Sequence, residues 1–150
     1  MKRIIIYIVT LALLTLAPVE GAELGKMRPV EVALVYEQEG EVVIVTDTED
    51  MGRGGDGLSA LENLKATTAG TIYLDTAEYL LIGEGAEAAA EQLRGHLKKN
   101  VKVCKAEKTV DLENAAAYLS VHGNLPRIKE WKSGDNLPKL QMVNDRFLLI

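Results

Sequence analysis

Short β-branched runs, three amphipathic helical patterns and tight-turn signals at both ends predict an α/β (α+β) domain. The expected architecture is a mixed sheet of about five to seven short strands, about three helices and terminal β-hairpins. Three observations carry it. Two β-branched runs flank Gln38-Glu39-Gly40. Ala86, Ala89, Ala90, Leu93 and Leu97 recur at helical spacing. Two apolar runs flank Asn144-Asp145 near the end of the 150-residue chain. That length suits one domain, and a composition 47% hydrophobic and 26% charged is that of a folded chain.

The elements follow in order. Val30, Val32, Leu34 and Tyr36 alternate with Glu31, Ala33, Val35 and Glu37, the period of a half-buried strand. Residues 41–46 return as a second strand, so 30–46 read as a hairpin. Residues 47–57 carry four glycines and four acids and read as a polar loop. Ser59 and Glu62 form a capping box for a short helix with Leu61 and Leu64 on one face, ending near Thr68 and stopped by Gly70. Residues 71–74 and 79–82 are short strands. The helix through Leu93 and Leu97 starts with Glu84, Glu87 and Glu91 and ends with Lys98 and Lys99, which complements its dipole. Residues 101–105 alternate as a strand. Asp111 caps a third helix whose face is Leu112, Ala115, Ala116 and Leu119, with Gly123 past its end. Residues 123–138 are loop-like. Asn144-Asp145 is a tight turn between strands 140–143 and 147–150.

Residues 1–21 read as a signal peptide or N-terminal anchor and 22–150 as the domain. Lys2-Arg3 precede an uncharged apolar run of 14 residues, 4–17, ended by Pro18. A spanning helix needs about 20 apolar residues, whereas a signal-peptide core needs about 7–15. Gly21 and Ala22 offer a cleavage site, and the leader contains no Cys to carry a lipid. The expected location is extracytoplasmic, secreted or held at the outer face of the cytoplasmic membrane. Membrane contact is expected only through an uncleaved leader.

Composition narrows the function. A net charge of −5, which becomes −6 without residues 1–21, disfavours nucleic acid. One Cys supplies neither an internal disulfide nor a thiolate zinc site.

Gly52-x-Gly54-x-x-Gly57 has the spacing of a dinucleotide fingerprint, and Asp75 follows the next strand. The surrounding Asp47, Glu49, Asp50 and Asp56 oppose a phosphate there, so a surface loop is the simpler reading. The same four acids are candidates for a weak calcium site. Met51 stands at the third ligand position of an EF-type loop, so a solvated acidic loop is the simpler reading. Cys104 could act with His96 or His122 as a nucleophile, but its strand position reads as packing. His122 suits a helix C-terminus. No catalytic residue and no cofactor are expected.

Ala60-Leu61-Glu62-Asn63-Leu64, Thr71-Ile72-Tyr73-Leu74, the step Tyr79-Leu80-Leu81-Ile82-Gly83-Glu84-Gly85-Ala86 and the strand Val101-Lys102-Val103-Cys104-Lys105-Ala106 together resemble the N-terminal domain of the Ger(x)C family of spore-germination proteins. The similarity spans about residues 59–120. It implies an α/β fold and an exported, non-catalytic role related to spore germination, and brings no catalytic residues. The expectation is an exported, non-enzymatic domain acting in protein interaction or assembly at the cell envelope. Its expected contact surfaces are the hairpin edge 138–143 and the loop 47–57. The alternative is a metal- or nucleotide-binding enzyme built on 47–57.

Overall fold

Successive strand residues face opposite sides of a sheet, so a strand with only one apolar set is covered on one side. The second described strand is buried on both. The computed structural model describes residues 27–150, and the expected leader lies outside them. Its elements are β1 (Met27–Pro29), β2 (Val32–Gln38), β3 (Glu41–Thr46), β4 (Met51–Gly54), α1 (Gly57–Thr67), β5 (Thr71–Tyr73), β6 (Tyr79–Ile82), α2 (Glu87–Leu93), β7 (Lys102–Ala106), α3 (Leu112–His122), β8 (Lys139–Val143) and β9 (Arg146–Leu149).

Seven strands form one mixed sheet in the order β4-β3-β2-β6-β7-β8-β9. Its centre, β2-β6-β7-β8, is parallel, and β3, β4 and β9 join antiparallel. β1 and β5 make a separate parallel pair. The fold class expected from the sequence is therefore the one found: a single small α/β domain with hairpins at both ends.

Helices cover both faces of the sheet. Ala60, Leu61 and Leu64 of α1 and Ala89, Ala90 and Leu93 of α2 pack with Ala33, Val35, Leu80, Ile82 and Val103 on one face. Leu112, Ala115, Ala116 and Leu119 of α3 pack with Val32, Leu34, Leu81, Cys104 and Leu140 on the other. This two-sided cover corrects the half-buried reading of β2, because parallel central strands lose solvent on both faces. Each fully buried Leu or Val contributes about 1.5–3 kcal/mol relative to exposure. The stretch 123–138 is irregular but not peripheral: Ile128, Trp131 and Leu137 are core residues on the α1/α2 face.

Two local expectations shift. α1 begins at Gly57, capped by the Asp56 carboxylate, which accepts from Ser59 N–H at 2.7 Å. Ser59 therefore lies inside the helix rather than at its cap. α2 stops at Leu93, and Arg94–His96 tighten into a 3₁₀ turn. Gly95, about 1 kcal/mol poorer than Ala in a helix, sits in that turn; Leu97 is still buried, but from an extended backbone.

Both hairpin turns follow from handedness. Glu39 and Gly40 have φ of 54° and 81°, and Asn144 and Asp145 have 50° and 58°. Two consecutive positive values make a type I′ turn, whose twist matches that of the flanking strands.

Candidate functional site

Three regions hold chemistry or unsatisfied surface: the carboxyl ends of the parallel strands, the stretch 47–57, and the two outer edges of the sheet.

Open α/β sheets bind ligands beyond the carboxyl ends of their strands, where successive connections leave on opposite faces. Here β6 leads to α2 on one face and β7 leads to α3 on the other, and a groove of about 1020 Å³ lies at that point. Glu37, Glu84, Glu87, Glu107, Lys105 and Lys139 line it. Two of its lysines are already engaged: Lys105 Nζ lies 3.1 Å from Glu87 Oε1, and Lys139 Nζ 3.5 Å from Glu107 Oε1. The Glu87 carboxyl is held below the usual carboxylate range, first by its own backbone N–H and then by Lys105. Gly83 shapes the floor, since a Cβ there would stand 2.5 Å from Tyr36 Cβ. The groove is polar and net acidic, with Glu39 and Lys108 also on its wall; among the described residues Glu37, Glu39, Glu84 and Lys108 hold no ion pair.

The stretch 47–57 is not the loop that its composition suggests. Residues 51–54 form β4, paired with β3 from Val42↔Gly54 to Val45↔Met51. The glycines of the fingerprint serve packing. A Cβ at Gly52 would lie 2.5 Å from Leu64 N, and one at Gly54 would lie 2.6 Å from Ser59 C, so only bare backbone lets α1 cross this close. Gly57 N–H donates to Gln92 Oε1 at 2.7 Å, tying α1 to α2.

Three of the four acids have separate structural partners. Asp47 accepts from Glu31 N–H at 3.1 Å. Asp50 accepts from the Thr48 hydroxyl at 2.7 Å and pairs with Arg28 at 3.1 Å. Asp56 caps α1, and the Ser59 backbone N–H holds its carboxyl below the ordinary value. Glu49 occupies a turn position at φ 63°. Among the described residues no three His, Cys, Asp or Glu side chains gather as a metal-holding group.

The remaining candidates are scattered. Cys104 is fully buried, and burial pushes its thiol up to about 12, which leaves it protonated and unreactive at neutral pH. His122 ends α3 with its ring 4.6 Å from that of Tyr118. His96 and Asp75 line a second groove of about 490 Å³ beside Lys65.

The edges differ in a way that only backbone accounting exposes. In β4, Thr46 N–H donates to Asp50 O at 3.0 Å, so the alternation of the antiparallel ladder turns Gly52 and Gly54 inward to β3 and Met51 and Arg53 outward. α1 meets one of those outward groups: Arg53 N–H donates to Asn63 Oδ1 at 3.0 Å, while the Thr67 hydroxyl, 3.3 Å from Met51 O, donates to the nearer Asn63 O at 2.8 Å.

At the other end, Lys139 N–H donates to Ile150 O at 2.7 Å and Ile150 N–H to Lys139 O at 2.9 Å. The same alternation turns Phe147 and Leu149 outward. No described residue meets their N–H and C=O groups. Met142, Val143, Leu148 and Ile150 of this ribbon are exposed, the last at 73%.

The edge anticipated at 138–143 is therefore displaced by one strand. β8 is paired on both sides, and β9 is outermost. No periodicity signal separates an outer strand from its neighbour; the register of the whole sheet was needed.

No family model matches the chain, and neither the search of curated proteins nor that of solved structures finds a match.

Proposed function

We propose that this chain is an exported, non-catalytic α/β domain that works by protein interaction or assembly at the cell envelope, with the outer strand β9 as its contact surface. One observation carries the reading. β9 ends the sheet with two residues' worth of outward backbone groups unmet among the described residues, on a ribbon whose exposed side chains are mostly apolar. Such an edge is a template for another strand, since backbone hydrogen bonds supply affinity and alternate side chains supply specificity.

Other features support a binding role over a chemical one. The lone thiol is sealed in the core, the fingerprint glycines are consumed by helix packing, and two of the three lysines that line the carboxyl-end groove are paired with glutamates. The export half of the proposal rests on the basic, apolar leader, and the link to spore germination rests on the resemblance over residues 59–120.

The test places a photo-crosslinking residue at Leu148 in the full chain, expressed in cells that make it. Cross-linked protein in the envelope fraction, lost when the reporter is moved to exposed Glu62 on α1, is the expected result. A folded chain that links to nothing from Leu148 overturns the contact surface. A product retained in the cytoplasm with Met1 intact overturns the export.

A further inference from the structure

Resting on β9 as a contact edge, the ladder geometry goes further and specifies a partner: we propose that β9 pairs antiparallel with β9 of a second copy, about a two-fold axis at Leu148.

The outward groups of β9 belong to Phe147 and Leu149, because Ile150 exchanges both its bonds with Lys139 and every second residue before it faces β8 in the same way. Directly opposed residues in an antiparallel pair lie on the same sheet face, so two copies of one strand meet only in registers that pair like parity. An axis at Leu148 opposes Phe147 to Leu149 of the copy and Leu149 to Phe147. Every outward N–H and C=O of the strand then finds a partner, four bonds in all. An axis at Phe147 instead opposes Leu149 to Asp145, a turn residue at φ 58° that has left the strand conformation. The ladder therefore favours the axis at Leu148.

Side chains agree with that register. Leu148, exposed at 45%, meets its own copy in a non-hydrogen-bonded pair, where side chains approach most closely. Ile150, more exposed still, comes opposite Arg146. The cationic Arg146 side chains of the two copies stand four residues apart, roughly 13 Å along the ladder, beyond the screening length at physiological salt. β9 contains no proline and no acidic residue, and no helix caps its edge among the described residues. The pairing would continue each seven-stranded sheet into one of fourteen strands.

Cysteine cross-linking reads the register directly. Cys104 is the chain's only thiol and is buried, so the parent chain provides a silent background. In the proposed dimer the Leu148 Cα atoms face one another at about 4.5 Å, inside the range a disulfide spans. Under mild oxidation the full-length L148C chain is expected to form a covalent dimer. R146C and I150C alone are expected to link no more than the parent chain, while an equimolar mixture of the two links. L148K, which puts two ammonium groups face to face at an exposed site, is expected to halve the sedimenting mass to that of one 16.3 kDa chain.

Equal linking at all three positions, or an L148K mass unchanged from the parent's, overturns the register. A folded L148C chain that does not link overturns self-pairing. If envelope cross-links to a different protein persist from Leu148 in that case, the contact edge stands with another strand as its occupant; if they are absent too, both readings fail.

Discussion

The two outer strands of this sheet have the same length, lie at the ends of similar antiparallel hairpins, and have opposite fates. β4 is glycine-rich and overlain by α1, whose Asn63 takes the outward N–H of Arg53. β9 is Arg-Phe-Leu-Leu, with Phe147 and Leu149 packed partly on the α3 face and its outward backbone unmet by any described residue. A sheet edge is closed by what crosses it, not by its own hydrophobicity. The strand with poor β-propensity became the overlain edge because its missing side chains admit a helix, and the strand with good propensity is the one that no described residue covers.

The largest expected effect breaks the closed edge. Gly52→Val drives side-chain atoms into the α1 backbone at Ala60 and Leu64. Overpacking of this kind costs about 3 kcal/mol. Urea denaturation should show the loss, and the displaced helix should leave the chain prone to association through β4.

A subtler change leaves α1 in place and removes its polar contact. The variant Asn63→Ala is expected to cost about 0.5–1.5 kcal/mol, the worth of the one hydrogen bond it removes from Arg53 N–H. Amide exchange at Arg53 should accelerate selectively, while exchange in β6 and β7 stays slow.

Strengthening the open edge tests the comparison from the other side. Asp145→Gly relieves a left-handed turn residue and is expected to stabilise the β8–β9 hairpin by about 1 kcal/mol. Slower amide exchange at Arg146 and Leu148, with Phe147 and Leu149 unchanged in a monomeric background, would show that only the inward ladder was tightened.

The smallest effect is a pH response at the cap of the guarding helix. The Asp56 carboxyl is lowered from 3.8 chiefly by the Ser59 backbone N–H. A depressed folded value means that the charged cap stabilises the fold above 3.8, and that this stabilisation is lost as pH falls through the lower folded value. Thermal midpoints of Asp56→Asn, which caps without a titrating charge, should fall less over that acid range than those of the parent.

Much of the local structure was legible in advance, because it depends on a few adjacent residues. The positions of both hairpin turns, the Asp111 cap and the buried face of α3 follow from turn chemistry, an acceptor side chain and helical spacing. Asp56 was missed as a cap because Ser59 and Glu62 present a stronger local pattern three residues on. The site was far less legible. Residues 51–54 carry no strand signal, since glycine is a poor β-former; β4 exists because β3 and α1 sandwich it. The groove residues Glu37, Glu84 and Lys105 lie in three separate segments and meet only where parallel strands end together.

From its sequence alone this protein was determined to be an α/β chain with turned ends and capped helices, because alternation, spacing and turn residues act over one or two turns of backbone. Tertiary structure alone decided which strands are buried on both faces, which glycines make room for a helix, and which edge remains uncovered among the described residues. Those outcomes depend on strand order and on which element crosses which, and contacts between distant segments have no signature in either segment read by itself.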